Sequence, residues 1–301
     1  VRDAKLQTSI RNDITHHVYY TSITSTRRRK VRVEEKWKLQ EELGNGTYGR
    51  VWRQTCIQGP KYVHCFVQSF GWYENDHLVY ITMEYMEHGD LQKRLGHPFP
   101  EPEVQAVALQ LIEGLQFMHE NGFTHRDLKP GNVLVLQPAP EWWVKIADFG
   151  ISKRAVEGST GLRTQVGTRG YLAPEVIGIY PVSDINTSGS ADISYTSAVD
   201  MWALGEICFR MITNNQPAFS FPQDLFKYVT HGSEFPVSPL LAAHASHDSI
   251  EFIKITMDPS PTKRLSARDA SSYPWIEAAQ ETARRSLSEG RYVIIEAISN
   301  C

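Results

Sequence analysis

One stretch of the sequence, His125-Arg126-Asp127-Leu128-Lys129-Pro130-Gly131-Asn132, decides the fold. It brings a carboxylate, an ammonium group and a side-chain amide close together along the chain, as loops around a reacting centre do. A second short motif, Asp148-Phe149-Gly150, places another carboxylate 16 residues after Asn132.

Two further motifs complete an ordered set of four. The pattern Gly44-x-Gly46-x-x-Gly49-x-Val51 lies upstream, and Ala173-Pro174-Glu175 lies downstream, with its Glu 27 residues after Asp148. A lone glycine-rich pattern is weak support for a nucleotide site, but four motifs in a fixed order are specific. The chain resembles the eukaryotic protein kinases over roughly Trp37 to Ile276.

The resemblance implies a role for each polar residue of the central loop. Transfer of the γ-phosphoryl group of ATP needs a carboxylate to accept the substrate hydroxyl proton, oxygen ligands for Mg²⁺, and cations against the developing charge. Asp127 fits the first requirement, Asn132 and Asp148 the second, and Lys129 the third. Lys129 and Thr168 also resemble the serine/threonine-directed branch, which implies protein substrates with Ser or Thr acceptors.

The resemblance also implies which residues hold ATP. The glycine-rich loop would cover the phosphates, and a hinge would present backbone groups to the adenine edge. The implied nucleotide contacts are Gly44, Gly46, Gly49, Val51, Glu84, Met86, Asp90 and Leu134. An ordinary hairpin is the alternative explanation for the glycines, and core packing is the alternative for the apolar residues.

Other matching positions concern regulation and architecture. Arg126 is typical of kinases whose activation segment is ordered by phosphorylation, because a phosphate supplies acceptors for a waiting guanidinium. The candidate sites for an upstream activating kinase are Thr164, Ser159 and Thr160, with unmodified hydroxyls as the alternative. Glu175 and Arg264 resemble the buried ion pair of the family, and Asp200 resembles the helix residue that anchors the catalytic loop.

The sequence departs from the family at one place. The family carries a Lys on the third strand and a partner Glu on the following helix, which hold the α- and β-phosphates. Only about ten residues, Trp52 to Lys61, separate the glycine-rich motif from the next predicted strand, and a strand with a helix needs more. Either about 40 residues are missing from an ordinary kinase, or the chain is a pseudokinase that serves as a non-catalytic scaffold or allosteric partner.

Both explanations predict weaker phosphotransfer than an intact relative has. Neither changes the predicted fold class, because β-like stretches fill the part after Trp37 and helical periodicity begins after Gly89. The prediction is an α+β, two-lobed protein kinase fold with a small, truncated antiparallel sheet, a larger helical lobe and a cleft between them.

The predicted divisions follow from the same patterns. A flexible tail is predicted over residues 1–33, the smaller lobe over 34–86, the larger lobe over 87–280 and a C-terminal tail over 281–301. One antiparallel sheet is predicted from strands at 37–42, 50–55, 65–73 and 78–85. Helices are predicted from 101 to a stop signal at 121–122 and over 197–212, 249–257 and 267–279. A mobile surface insert is expected at Ser183 to Ser194.

Composition and charge exclude other classes. The 301 residues carry 31 Lys and Arg against 34 Asp and Glu, a formal net charge of −3, without the basic excess that nucleic acid or an anionic membrane attracts. The widely spaced cysteines (Cys56, Cys65, Cys208, Cys301) predict reduced thiols in a cytoplasmic or nuclear protein. No signal peptide and no membrane-spanning run is predicted. Because the first residue is Val1, a partial sequence is expected. No feature of the sequence indicates an oligomeric state.

Overall fold

The computed structural model describes residues 7–11, 14–22, 30–46, 49–58, 65–74, 79–148, 153–154, 169–179 and 196–288. The chain divides into two compact units, with the boundary between Met86 and Glu87. The sequence places the change from the smaller to the larger lobe at this position.

The first unit contains a four-stranded antiparallel sheet. Its strands are β1 (Gln7–Arg11), β2 (Ile14–Ser22), β3 (Lys30–Gly46) and β4 (Gly49–Gln58), in that spatial order. The sequence predicts a flexible tail over residues 1–33, whereas the structure has β1, β2 and the start of β3 there. The reason lies in pairing: β2 is rich in β-branched and aromatic residues, and all nine of its residues pair with the long β3.

A separate two-stranded sheet also belongs to the first unit. It consists of β5 (Ser69–Glu74) and β6 (Val79–Met83), which pair antiparallel. The sequence predicts one sheet, whereas the described strands of this unit form two. Because β4 continues to Gln58, only residues 59–68 connect it to β5, and these are too few for the missing strand and helix.

The second unit is mainly helical. Its helices are α1 (Glu101–Glu120), α2 (Ala198–Ile212), α3 (Pro222–His231), α4 (Ser238–Ala242), α5 (His247–Thr256), α6 (Ala267–Ser271) and α7 (Pro274–Ser288). Short strands pair as β7 (Phe123–Thr124) with β10 (Lys153–Arg154) and as β8 (Val133–Gln137) with β9 (Trp143–Ile146). Three single 3-10 turns lie at Leu91–Arg94, Pro130–Asn132 and Arg169–Tyr171. Within the described part of the chain, no helix is long and apolar enough to cross a membrane.

Helix α1 buries the face that its periodicity predicts. Glu101 and Glu103 in the first turn stabilise the helix by interacting with the positive end of its dipole, and Asn121 forms the C-cap. The predicted apolar residues, each at most 5% exposed, are Val104, Val107, Leu111, Leu115 and Met118. This helix therefore forms one wall of the core beside the catalytic loop.

The helices differ from the sequence prediction at three places for local reasons. Helix α5 starts at His247 because Ser246 caps it, accepting from the backbone N–H of Ser249 at 3.2 Å. The helix predicted over 267–279 is two helices, because Pro274 lacks the N–H needed to continue α6. Helix α3, which the sequence prediction omits, begins at Pro222 and ends at His231, directly before Gly232 with φ +64°. A proline at the start and a glycine after the end are sequence signals for a helix.

Helix α2 lies at the centre of the second unit. Of its 15 residues, 13 are buried. Gly205 allows it to approach α5, because a Cβ there would lie 2.5 Å from Cγ of Met257 and 2.6 Å from Oγ1 of Thr256. Burial raises the pKa of the Cys208 thiol to about 12, so this cysteine is a protonated core side chain.

Candidate active site

The catalytic loop is held on helix α2 by one carboxylate. Asp200, only 1% exposed, accepts hydrogen bonds from the backbone N–H groups of Arg126 at Oδ1 and of His125 at Oδ2, each at 2.8 Å. Nε2 of His119, in the last turn of α1, lies 2.9 Å from the same Oδ2. Hydrogen bonds to a carboxylate are stronger than neutral ones, so Asp200 fixes the start of the loop, including Arg126 at φ +73°.

The polar side chains of the loop converge on Asp127. Nζ of Lys129 donates to its Oδ2 at 2.6 Å, and Nδ2 of Asn132 donates to the same oxygen at 3.2 Å. Nδ2 of Asn132 also donates to the backbone carbonyl of Asp127 at 2.7 Å. These contacts fix the direction of the carboxylate, and they place a proton acceptor and a cation side by side.

Two contacts with the backbone of Ala147 place Asp148 beside the same loop. The N–H of Ala147 donates to the carbonyl of Asn132 at 2.8 Å, and Nε2 of the buried His125 lies 2.9 Å from the carbonyl of Ala147. Asp148 is exposed and has φ +59°, an uncommon conformation for a residue other than glycine that is frequent at functional sites. Asp148 therefore follows directly after a residue that is hydrogen-bonded to the loop carrying Asp127 and Asn132.

The donor set of this site fits Mg²⁺. Asn132 and Asp148 offer an amide oxygen and a carboxylate, which are the hard ligands that Mg²⁺ prefers. Among the described residues, no group of three or more His, Cys, Asp or Glu side chains could hold a metal ion alone. Mg²⁺ is commonly held by one or two carboxylates together with substrate phosphates, so this small set suits a metal–nucleotide complex.

A buried ion pair fixes the segment that ends at Glu175. Nη1 and Nη2 of Arg264 donate to the two carboxylate oxygens of Glu175 at 2.8 and 3.1 Å, and the side chains are 0% and 5% exposed. Arg264 also donates to the backbone carbonyls of Ala198 at 2.8 Å and Asp258 at 2.9 Å, and it lies 5.2 Å from the ring centre of Trp202. One guanidinium thus joins this segment, α2 and the loop after α5.

The predicted nucleotide contacts of the second unit lie together. Asp90 and Leu134 form an isolated antiparallel β-bridge. Asp90 also has a structural role, because its Oδ1 caps the turn at Leu91–Arg94 by accepting from the N–H of Lys93 at 3.0 Å. A contact with ribose remains a prediction for Asp90.

The predicted nucleotide contacts of the first unit lie on its four-stranded sheet or directly after the last strand of its two-stranded sheet. The glycine-rich motif is a β-hairpin, in which Gly46 of β3 is paired with Gly49 of β4. Glu84 and Met86 follow β6, where the N–H of Glu84 donates to the carbonyl of Gln68 at 2.8 Å and Met86 is buried. The hairpin fits both the phosphate-covering role and the ordinary-turn alternative.

Several predicted residues lie outside the described residues. They are Thr168, whose hydroxyl would bridge Asp127 and Lys129 by resemblance to the family, the candidate phosphorylation sites Ser159, Thr160 and Thr164, and the insert at Ser183 to Ser194. Their roles stay predictions. Sequence reasoning also missed residues on the supporting helices: His119, which contacts Asp200, and an ion pair on α2 between the buried Glu206 and the partly buried Arg210. Opposite charges four residues apart in an apolar helix were the signal for that pair.

Comparison with known proteins identifies the family. The family model described as protein kinase domain matches residues 61–276. Serine/threonine-protein kinase cds1 of Schizosaccharomyces pombe is 35% identical over 212 residues, which make up 70% of this chain and 44% of cds1. Serine/threonine-protein kinase RAD53 of Saccharomyces cerevisiae is 33% identical over 214 residues, 70% of this chain and 26% of that protein.

More distant kinases and a solved structure agree with this result. Calcium/calmodulin-dependent protein kinase type 1 of Caenorhabditis elegans is 32% identical over 213 residues, 70% of this chain and 57% of the relative, so the chain spans only part of each of these proteins. The crystal structure of Rad53 1–466 in complex with AMP-PNP matches with a TM-score of 0.62 and 27% identity, over 80% of this chain and 65% of that one. The chain belongs to the protein kinase family and has its two-lobed α+β fold.

Proposed function

We propose that the chain binds ATP with Mg²⁺ and transfers the γ-phosphate to Ser and Thr hydroxyls of protein substrates. The convergence of Lys129 and Asn132 on the Asp127 carboxylate carries the proposal, because it assembles an acceptor, a cation and a metal ligand in one loop. The relatives are serine/threonine kinases, which supports the same acceptor class.

Each residue of the loop has a task in this reaction. Asp127 orients the substrate hydroxyl and accepts its proton. Lys129, 2.6 Å from that carboxylate, keeps a positive charge where the transferred phosphoryl group gains negative charge. Because Asn132 uses Nδ2 to hold Asp127, its Oδ1 is the ligand atom offered to Mg²⁺, together with the Asp148 carboxylate. Mg²⁺, when bound, neutralises phosphate charge.

A second candidate function is that of a non-catalytic scaffold or allosteric partner. The observation that favours it is the short connection between β4, which ends at Gln58, and β5, which begins at Ser69. The ten residues 59–68 have no room for both a third strand and a helix, and the family-model match begins only at Lys61. Without that strand, the chain lacks the third-strand lysine that is the family's usual cation for the α- and β-phosphates.

The experiment that separates the two functions measures binding and transfer on the same purified chain. Mg-ATP should raise the unfolding temperature, and transfer to a generic Ser/Thr peptide should exceed that of the Asp127→Asn variant by about 100-fold or more. Asp127→Asn keeps the size of the side chain, so its fold should persist. A thermal shift without transfer above the level of the variant would establish the scaffold function instead. The absence of both a thermal shift and transfer would overturn the proposal that the chain binds the nucleotide.

A further inference from the structure

A second ion pair lies on helix α2, where the buried Glu206 and the partly buried Arg210 are one turn apart. Nε of Arg210 donates to Oε1 of Glu206 at 2.6 Å, with side-chain exposures of 14% and 3%. The other oxygen of Glu206 accepts from the backbone N–H of Ala218 at 3.3 Å, and Nη1 of Arg210 reaches the carbonyl of Asn215 at 3.4 Å. The pair is fixed by α2 and by the loop that follows it.

The guanidinium of Arg210 packs against the segment that ends at Glu175. Cζ of Arg210 lies 4.8 Å from the ring centre of Tyr171, and Tyr171 is buried. A Cβ at Gly170 would lie 3.0 Å from Nη2 of Arg210, so the lack of a side chain at this position allows the close approach. By resemblance, this segment is where protein substrates dock.

The same segment shares a pocket with the catalytic loop. Asp127 of the loop and Tyr171 and Leu172 of the segment line it, together with Asp200 and Ala203 of α2. Asp200 and Arg210 lie ten residues apart on one helix, a separation of about 15 Å along its axis. Helix α2 therefore holds the catalytic loop with one charged residue and the docking segment with another.

We propose that Glu206 and Arg210 are positioning residues for substrate docking, which hold Tyr171 and thereby set where a protein substrate lies relative to Asp127. The proposal rests on the proposed kinase function for the identity of the docking segment. Glu206 orients Arg210 through Nε, and the planar guanidinium then stacks on the tyrosine ring. A lysine carries all its donors on one nitrogen and has no planar group, so it cannot donate to Glu206 and cover the tyrosine ring at the same time.

Protonation of Glu206 supplies an independent readout. Burial raises the pKa of this carboxyl to about 7, against the lowering effect of Arg210. The other titratable group at this contact is Tyr171, whose pKa burial raises to about 12, so it stays neutral at ordinary pH. Glu206 is charged and holds Arg210 above pH 7, and this hold weakens as the pH falls below it. The KM for a peptide substrate should therefore rise as the pH falls from 8 to 6.

The test uses the full chain with Arg210→Leu, Arg210→Lys, Gly170→Ala and a control, Arg268→Leu, which breaks an exposed pair with Glu120. Arg210→Leu should raise the peptide KM about tenfold and leave the ATP KM within about twofold, since a cation–π contact of this kind corresponds to a factor of that size. Arg210→Lys should also raise the peptide KM, but by a smaller factor than Arg210→Leu. Gly170→Ala should shift the peptide KM in the same direction by pressing on Nη2. The control should change neither constant.

Hydrogen exchange of the Tyr171 to Ala173 amides gives a readout that does not depend on activity. It should be faster in Arg210→Leu than in the control, even if the chain transfers no phosphate, so failure of the kinase proposal and failure of this one are distinguishable. Unchanged exchange and unchanged peptide KM in Arg210→Leu would overturn the proposal. So would equal losses in the peptide and ATP constants, because a merely structural role predicts them. If Arg210→Leu does not fold, Arg210→Lys and Gly170→Ala decide by the same criteria.

Discussion

Breaking the buried pair between Glu175 and Arg264 should destabilise the second unit strongly. Removing one partner of a buried pair costs about 3–5 kcal/mol, because the remaining charge stays in a low-dielectric site without compensation. Arg264→Met should cost more than Glu175→Gln, since Arg264 also donates to three backbone carbonyls, including those of Ala198 and Asp258. Each lost bond of this kind adds roughly 1 kcal/mol.

A double-mutant cycle measures the pair itself. The variants Glu175→Gln, Arg264→Met and their combination are unfolded with urea, and the transition of the second unit is followed by tryptophan fluorescence, since Trp202 lies 5.2 Å from the Arg264 guanidinium. The double variant should be more stable than the sum of the single effects predicts, by about 2 kcal/mol, because it leaves no charge unpaired.

Additive single effects, or single effects below about 1 kcal/mol, would refute the argument that burial makes this pair strong. The control is the pair of Glu120 and Arg268, which has a similar distance of 2.9 Å but side chains that are 43% and 74% exposed. Glu120→Gln and Arg268→Met should leave the unfolding midpoint unchanged, because solvent screens exposed charges. Distance alone would predict the same result for both pairs.

Two further predictions concern helix packing and capping, and both are measured by urea unfolding. Gly205→Ala should destabilise the second unit by about 1–3 kcal/mol, because the new Cβ would lie 2.5 Å from Met257, whereas Gly96→Ala meets no atom within 4 Å and should have no effect. Ser246→Ala should cost about 1 kcal/mol by removing the N-cap of α5, and Ser246→Thr should restore most of it; equal stability of the two variants would show that the hydroxyl does not cap Ser249.

The sequence predicts the site better than it predicts the sheets, and the reason is range. The roles of Asp127, Lys129 and Asn132 depend on chemical groups five residues apart, and the structure places them in contact. The apolar face of α1 is likewise a local pattern with the period of a helix. By contrast, β1 forms by pairing with β2 and β2 forms by pairing with β3, and neither pairing is specified by the residues of the strand itself.

Contacts between distant parts of the chain could not be predicted from residue patterns alone. The side chains of Glu175 and Arg264 meet across 89 residues, and only the family resemblance suggested their pairing. His119 reaches Asp200 across 81 residues, and Arg210 reaches Tyr171 from another helix. Such contacts follow from the tertiary fold, so the residues that support a site are harder to predict than those that carry its chemistry.

The two candidate functions share the second unit and differ only in the first. Asp127 and Asp148 are held by contacts within the second unit, through Lys129, Asn132 and the backbone of Ala147. Shortening the connection after β4 removes none of these contacts, so the proposed metal ligands and the proposed proton acceptor remain in either case. What it removes is a cation for the α- and β-phosphates. Mg-ATP binding is therefore expected to survive in weakened form, whereas the turnover number should suffer most, because transfer requires the phosphates to be aligned as well as bound.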